Sequence, residues 1–174
     1  LIVRIFLMKQ PVQIDNVFAK QLHHKLYDEI NKTGWFLHNE STPNSRKFWK
    51  QYQEENPIFQ DAGQFISNKA EQFIGKNKLI RINVNGQTLN QQGSAHIDYP
   101  HRDHYTFVYF SNTKWDKRWD GSFRVFTDLA NYSFDYQSNS GVLVHADWPH
   151  YGQAPNINTD ALRTTIAWSY CELH

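Results

Sequence analysis

The chain has 174 residues, of which 18 are basic and 17 acidic, so its formal net charge is +1 and its pI is near 8.0. This length favours one domain with one core, and the balanced charge argues against nucleic-acid binding driven by a large basic excess. The single cysteine, Cys171, cannot form an intrachain disulfide, which favours an intracellular, cytoplasmic setting. The apolar run over residues 1–8 is too short to span a membrane and lacks a signal-peptide cleavage site, so it is predicted to be a first strand.

The first half of the chain, residues 1–78, is predicted to be a mainly helical support. Asp15 is placed to cap a first helix that ends near Gly34. Apolar side chains recur in it at helical spacing, namely Val17, Phe18, Leu22, Leu26 and Ile30. A loop is predicted over residues 41–45, a second helix over 46–54, and a third from Pro57 to Gly75.

From Leu79 onward the sequence changes to short β-rich runs with Gly, Asn, Asp and Pro between them. Five strands are predicted, over residues 79–84, 105–111, 122–127, 141–146 and 163–170. Several short strands at this spacing favour an antiparallel sandwich or barrel. The sequence therefore predicts one domain over residues 1–174, with an all-β core over residues 79–174 and N-terminal helices that support it.

A His-x-Asp pair on a strand presents an imidazole and a carboxylate on one face, because strand side chains alternate with a period of two. With a later histidine, such a pair forms the facial triad that holds non-haem Fe(II). Three such pairs occur, beginning at His96, His101 and His145. The first ends a short strand after a glycine turn, the second lies in a polar loop, and the third is more simply a sheet-face histidine. The preferred ligands are therefore His96 and Asp98, with His150 as the third.

Five segments in the second half follow one another in an informative order. The first segment joins residues 81–86 to the Gly-Ser-Ala-His-Ile-Asp of residues 93–98, and the second joins residues 106–112 to Trp115 and Asp116. The third is the Gly-x-x-Arg-x-Phe of residues 121–126. The fourth joins residues 141–144 to residues 149–150 and 153–155, and the fifth is the strand that begins at Arg163. Taken together, over roughly residues 79–170, they resemble the prolyl-4-hydroxylase-like branch of the 2-oxoglutarate/Fe(II) oxygenases. The resemblance implies a double-stranded β-helix (jelly roll) of antiparallel strands.

The resemblance also implies Fe(II), held by the three preferred ligands, and 2-oxoglutarate as co-substrate, with ascorbate as a further candidate. Arg163 lies where the family keeps the cation for the far carboxylate of 2-oxoglutarate, which a guanidinium can grip through two parallel hydrogen bonds. The oxygen-sensing members use tyrosine hydroxyls in this pocket, and the closest positions here are Asn85 and Phe110. The side chains predicted to complete the co-substrate pocket instead are Thr106, Tyr109 and Thr165.

The implied activity is hydroxylation of a substrate C–H group, with succinate and CO2 as co-products. A prolyl residue in a peptide or protein is the first expectation, and a small molecule such as a free amino acid is the second. A jelly-roll binding module without a catalytic metal is a third reading, whereas a zinc hydrolase would leave the placement of Arg163 unexplained. The predicted substrate contacts are Tyr99, Arg102, Arg124 and Trp148. Neither a nucleic acid nor a membrane is an expected partner, and the oligomeric state is left open.

Overall fold

A computed structural model describes residues 8–173, except for the side chains of residues 38 and 39. The elements, in chain order, are β1 (Val12–Ile14), α1 (Lys20–Lys32), β2 (Phe36–Asn39), β3 (Phe48–Gln51), α2 (Pro57–Ile74), β4 (Asn77–Gln87), β5 (His104–Phe110), a 3-10 helix (Lys117–Trp119), β6 (Phe123–Phe126), β7 (Asn131–Phe134), β8 (Gly141–His145), β9 (His150–Gly152) and β10 (Arg163–Glu172). The strand predicted over residues 1–8 lies outside the described residues, apart from Met8. Within residues 8–173, neither α-helix is long and apolar enough to cross a membrane.

The strands form two antiparallel sheets. The larger sheet has the order β1-β8-β5-β10-β4-β3-β2, and the smaller has the order β7-β6-β9. An isolated bridge joins His96 to His150, with backbone N–H to O distances of 3.1 and 2.9 Å in the two directions, and adds one more chain segment to the edge of the smaller sheet. This arrangement confirms the predicted jelly-roll architecture of antiparallel strands with helices outside.

Two hydrophobic cores lie on the two faces of the larger sheet. In β5, the side chains of Phe107 and Tyr109 belong to the core that the helices cover, whereas Val108 and Phe110 belong to the core between the two sheets. The alternation follows from the period of two along a strand. Because each face of β5 is buried, nearly the whole strand is apolar, as the sequence of its central residues shows.

The third predicted helix and the five predicted strands are confirmed, with small differences at their ends. Helix α2 begins after Asn56, whose side-chain oxygen accepts a hydrogen bond of 3.1 Å from the amide of Ile58. It has Pro57 in its first turn, and it ends at Gly75, whose φ of 72° is open to glycine at little cost. Local capping chemistry therefore defines both ends of this helix.

The second predicted helix, over residues 46–54, is wrong. The segment contains β3, which pairs with β4 in the larger sheet and places Trp49 opposite Gly86. At the end of β3, the Gln51 amide donates hydrogen bonds to the carbonyl oxygens of Ile30 (2.7 Å) and Thr33 (3.0 Å). Those oxygens lie at the C-terminus of α1, where helical carbonyl groups have no partner within the helix. The strand thus also satisfies the end of the first helix.

The first helix starts later than predicted, and Asp15 does not cap it. Helix α1 begins at Lys20 after Ala19, which makes no side-chain capping hydrogen bond. Val17 and Phe18 precede the helix, yet both are buried in the helix-side core. Their amides are satisfied by the carbonyl oxygen and the side-chain oxygen of Asn139, at 3.0 and 3.1 Å respectively. Tertiary packing, not the helix, therefore explains the apolar character of these two positions.

Stability should decrease as the pH falls from 7 to 4, because His23 is held neutral in the helix-side core. Its Nδ1 lies 2.6 Å from the hydroxyl of Tyr109 and its Nε2 lies 3.1 Å from that of Ser138. Burial, with a smaller effect of His24, lowers the pKa of His23 to about 4. The unfolded chain, with a histidine pKa of about 6.5, therefore binds a proton that the folded chain excludes.

We expect this single group to remove up to about 3 kcal/mol of stability between pH 7 and pH 4. Urea unfolding of the wild type and of His23→Gln at both pH values would measure it. The free-energy difference between the two proteins should shrink as the pH is lowered. An equal difference at both pH values would contradict the neutral, buried state of His23.

Candidate active site

Three of the predicted site residues converge at the edge of the smaller sheet. His96 and His150 are backbone neighbours in the isolated bridge, and Asp98 follows two residues after His96. The Asp98 carboxylate lies 3.8 Å from Nε2 of His96 and 3.6 Å from Nε2 of His150. One ligand atom of each residue lies within 4.8 Å of the others, which is a spacing that suits coordination of one metal ion.

Backbone carbonyl groups orient both imidazole rings. Nδ1 of His96 lies 2.9 Å from the carbonyl oxygen of Ser94, and Nδ1 of His150 lies 2.8 Å from that of Trp148. A carbonyl oxygen only accepts, so each Nδ1 carries a proton and each ring presents its Nε2 towards the carboxylate. Such outer hydrogen bonds fix the tautomer of metal-binding histidines.

The carboxylate of Asp98 is held in its ionised form. Its Oδ1 accepts a hydrogen bond of 3.1 Å from Nη2 of Arg81, and its Oδ2 accepts one of 2.7 Å from the hydroxyl of Thr106. Burial alone would raise the pKa of Asp98, but the interactions with His150, Arg81 and Thr106 outweigh it and hold the pKa well below its usual range. Burial and the nearby His150 lower the pKa of His96. An anionic carboxylate beside a neutral imidazole is the state that a divalent cation requires.

Removal of the Thr106 hydroxyl should weaken metal binding at this site without abolishing it. Thr106→Val keeps the shape of the side chain but leaves Oδ2 of Asp98 without its hydrogen bond. Loss of such an outer partner typically lowers metal affinity by about 10–100-fold. Titration with Mn(II), followed by calorimetry, would measure the change, with Thr165→Val as the matched control on the neighbouring strand. Equal affinities for the Thr106 variant and wild type would contradict the positioning role.

A cavity of about 260 Å³ extends from these three side chains into the space between the two sheets. One wall is polar and comes from alternate residues of β4, namely Arg81, Asn83, Asn85 and Gln87. The neighbouring strands β5 and β10 of the same sheet contribute the apolar residues Val108 and Ala167, and β6 of the smaller sheet contributes Phe123. The cavity thus has hydrogen-bonding groups along β4 and water-excluding groups from the other strands.

Arg163 lies at the inner end of the cavity, and only 2% of its surface is exposed. Its Nε donates to the carbonyl oxygen of Gly121 and its Nη1 donates to Oε1 of Gln87, both at 2.7 Å. Its Nη2 is buried and has no hydrogen-bond partner among the described residues. Burial lowers the pKa of the guanidinium to about 10, so it is still protonated at neutral pH.

No residue in the described part of the chain supplies a counter-charge to Arg163. Its guanidinium carbon lies 5.2 Å from the ring centre of Tyr136 and 5.9 Å from that of Phe110. No carboxylate of residues 8–173 forms an ion pair with it. A buried cation without an anion is costly. The geometry therefore provides a ready site for an anionic group that enters the cavity from outside the chain.

Of the three polar residues predicted to complete the co-substrate pocket, only Thr165 lines the cavity. Thr106 is engaged with Asp98 instead. Tyr109 points to the helix-side core, where its hydroxyl donates to Oδ1 of Asn139 at 2.9 Å, so its prediction is wrong. The reason is geometric, because residues 106 and 109 are three apart on β5 and must face opposite sides of the sheet.

None of the four predicted substrate contacts lines the cavity. Arg124 is on β6 between Phe123 and Val125, which point into the inter-sheet core, so Arg124 faces the other side of that sheet. Arg102 is exposed. Trp148 packs against the inter-sheet core, and its ring centre lies 4.8 Å from that of His145. These three assignments are not supported by the placement of their side chains.

Tyr99 is the one predicted substrate contact that is shown beside a residue of the cavity wall. Its ring centre is 5.1 Å from the guanidinium carbon of Arg81, which lines the cavity and binds Asp98. Arg81, Asn83 and Gln87 were not predicted as site residues. A signal for them was present, because polar residues at every second position of a strand share one face. Their polar row alternates with Ile82 and Val84, which are buried in the helix-side core.

No protein-family model and no curated protein sequence matches this chain. Solved structures do resemble it. A prolyl-4-hydroxylase from Pseudomonas putida is 13% identical, with coverage of 94% of this chain and 93% of that one and a TM-score of 0.72. A Trichoplax adhaerens prolyl hydroxylase, in complex with a peptide fragment of the hypoxia inducible factor oxygen degradation domain, is 16% identical, with coverages of 93% and 83% and a TM-score of 0.69.

A third similar structure is HygX from Streptomyces hygroscopicus, with nickel, 2-oxoglutarate and hygromycin B bound. It is 11% identical, with coverages of 97% and 85% and a TM-score of 0.72. At these identities the comparisons establish a shared fold, namely the double-stranded β-helix of the 2-oxoglutarate- and Fe(II)-dependent oxygenase structures.

Proposed function

We propose that this protein is an Fe(II)- and 2-oxoglutarate-dependent oxygenase that hydroxylates a substrate C–H group. The observation that carries the proposal is the presence, within one cavity, of a two-histidine, one-carboxylate cluster and the buried guanidinium of Arg163, whose Nη2 has no hydrogen-bond partner among the described residues. Neither feature alone specifies this chemistry, because histidine–carboxylate clusters also hold zinc. Together they suit a metal and a dicarboxylate that reaches from the metal to a cation.

The donor set fits Fe(II). Two imidazoles and one carboxylate on one side of the ion leave open coordination positions for other ligands, as in non-haem Fe(II) oxygenases. His96, Asp98 and His150 would hold the ion through Nε2, a carboxylate oxygen and Nε2. When bound, the iron supplies the activation of O2 and the oxidative decarboxylation of 2-oxoglutarate to succinate and CO2.

The cavity also fits 2-oxoglutarate. Arg163 would receive the far carboxylate through its unpaired Nη2, while Gln87 and Gly121 hold the guanidinium in place. Thr165 and Asn85, which line the same cavity, supply polar groups between Arg163 and the three ligands. The apolar surfaces of Val108 and Phe123 exclude water, which strengthens the charge-assisted hydrogen bonds formed there.

We further propose that the substrate is a prolyl residue in a peptide or protein. Its support is the resemblance of the sequence to the prolyl-4-hydroxylase-like branch and the shared fold with two prolyl hydroxylases, one of them bound to a peptide. A small-molecule substrate is the competing outcome, because HygX has the same fold and was solved with hygromycin B.

The proposal is tested by succinate production from 2-oxoglutarate in the presence of Fe(II) and O2. We expect turnover that requires Fe(II) and that increases when a substrate is added. A panel of proline-containing peptides, with free proline and other free amino acids alongside, then tests whether the substrate is a prolyl residue. Stimulation by free amino acids alone would overturn the prolyl-peptide proposal, and an absence of any iron-dependent succinate would overturn the oxygenase proposal.

A further inference from the structure

We propose that the chain has a second metal site, formed by Asp103, His104 and Cys171, that binds a divalent ion of intermediate softness such as Zn²⁺. The three side chains offer a carboxylate oxygen, an imidazole nitrogen and a sulfur, and these atoms lie within 4.8 Å of one another. None of them belongs to the cluster of His96, Asp98 and His150. The proposal therefore does not depend on the oxygenase function.

Sheet pairing brings these residues together from distant parts of the chain. Cys171, near the end of β10, lies directly opposite His104, the first residue of β5. Asp103 precedes β5, and its two carboxylate oxygens face the two partners. Its Oδ1 lies 2.8 Å from Nδ1 of His104, and its Oδ2 lies 3.9 Å from Sγ of Cys171.

The backbone holds this arrangement in place before any ion binds. The carbonyl oxygen of Asp103 accepts a hydrogen bond of 2.8 Å from the amide of Glu172, which ties the loop before β5 to the end of β10. The amide of His104 donates to the carbonyl oxygen of His101 at 3.3 Å, which closes a turn. A site whose ligands are already positioned loses less conformational entropy on binding an ion.

The side chains remain accessible at the rim of the sheet. The Asp103 side chain is 35% exposed and that of His104 is 16% exposed, while Cys171 is partly buried. The exposed His101, whose ring centre lies 5.7 Å from that of His104, is available near the cluster together with solvent to complete a four-coordinate shell. The site thus combines fixed ligands with a path for an ion.

The ligand types and spacings suit zinc. Zn²⁺ binds thiolate, imidazole and carboxylate at about 2.0–2.3 Å in tetrahedral geometry, which corresponds to ligand separations of roughly 3.3–3.8 Å. The two observed separations lie on either side of that range and need shifts below about 1 Å. Binding would replace the Asp103–His104 hydrogen bond, and the thiol of Cys171 would release its proton to solvent as the sulfur–metal bond forms.

This second cluster lies on the same face of the larger sheet as the first. The next pair along β5 and β10 towards the cavity is Thr106 and Ser169, whose hydroxyl oxygens are 3.3 Å apart, and Thr106 binds Asp98. His104 and Thr106 are therefore neighbours on this face of β5, about 7 Å apart along the strand. The sulfur ligand is what distinguishes the two clusters in an experiment.

Cobalt(II) is the ion with which to test the site, since it takes the place of zinc and absorbs in the near ultraviolet when a thiolate binds it. The folded full-length protein is titrated with Co(II) under reducing conditions, with Zn(II) added afterwards in competition. We expect a sulfur-to-cobalt charge-transfer band that saturates as Co(II) is added and is lost on addition of Zn(II). The His96, Asp98 and His150 cluster contains no sulfur, so it contributes none of this band.

Variants assign the band to the three residues. Cys171→Ser should abolish it, and His104→Ala or Asp103→Asn should each lower the Co(II) affinity at least about tenfold, as loss of a ligand requires. Asp98→Asn is the matched control and should leave the band unchanged. Circular dichroism melting curves establish that each variant is folded. The proposal would be overturned if the wild type showed no such band, or if the His104 and Asp103 variants bound Co(II) with the same affinity as the wild type.

Discussion

Arg163→Ala is expected to produce the largest loss of 2-oxoglutarate binding of any single substitution away from the metal ligands. A charged hydrogen-bonded pair in a desolvated pocket loses about 2–5 kcal/mol when one partner is removed, because the other charge is left buried and unpaired. At about 1.4 kcal/mol per tenfold change, the affinity should fall at least about 30-fold. Fluorescence or calorimetric titration with 2-oxoglutarate in the presence of Mn(II) would measure this loss.

Arg124→Ala is the matched control, because Arg124 faces away from the cavity on β6. It should leave 2-oxoglutarate affinity within about twofold of wild type. Metal affinity without co-substrate should be unchanged in both variants, since neither arginine is a ligand. Arg163→Lys should fall between the two, because a lysine keeps the charge but loses the planar pair of donors. An Arg163→Ala protein with wild-type affinity for 2-oxoglutarate would remove the main support for this co-substrate.

The second large effect concerns the three ligands themselves. His150→Ala should abolish measurable Fe(II)-dependent succinate formation and weaken Mn(II) binding by several orders of magnitude, because the remaining histidine and carboxylate cannot complete the facial set. His96→Ala and Asp98→Asn should behave alike. Calorimetric titration with Mn(II) together with a succinate assay would follow both properties on the same protein.

Two other histidines test the assignment of the third ligand. His24→Ala, at an exposed position of α1, should change neither Mn(II) binding nor succinate formation. His145, five residues before His150, is the alternative third ligand in the sequence, yet it does not line the cavity. Its ring centre lies 4.5 Å from that of Tyr105. His145→Gln should therefore retain Mn(II) binding, although the buried position makes some loss of stability expected. Loss of binding in a folded His145→Gln variant with normal binding in His150→Ala would reverse the assignment.

The proximity of His96, Asp98 and His150 could be predicted, because His96 and Asp98 are two residues apart and His150 follows β8 closely. The short strand predicted to hold the His-x-Asp pair is not formed, since His96 makes only an isolated bridge with His150 and Asp98 lies outside the strands. The polar wall of β4 was equally local, since Arg81, Asn83 and Gln87 alternate with buried apolar residues. The same period excludes a shared pocket for Thr106 and Tyr109.

The parts that escaped prediction depend on contacts between distant segments. Strand β3 has only four residues, and its pairing partner β4 lies beyond the whole of α2. Strand β9 has three residues and exists through its pairing with β6. A window of neighbouring residues contains no information on such pairing, and intrinsic strand propensity is weak for segments this short. The lack of an ion pair between Arg163 and any carboxylate of residues 8–173 is likewise a property of the folded chain alone.

The depth of the cavity sets an order of events. The His96 side chain is 26% exposed, whereas Arg163, at the other end, is 2% exposed. In the proposed enzyme, a diacid held by Arg163 would lie deeper in the cavity than a larger molecule resting at the His96 end, and that larger molecule would cover it. Co-substrate should enter before substrate, and succinate should leave after the hydroxylated product. Steady-state rates should accordingly follow a compulsory-order scheme, in which excess substrate inhibits by trapping the enzyme before 2-oxoglutarate arrives.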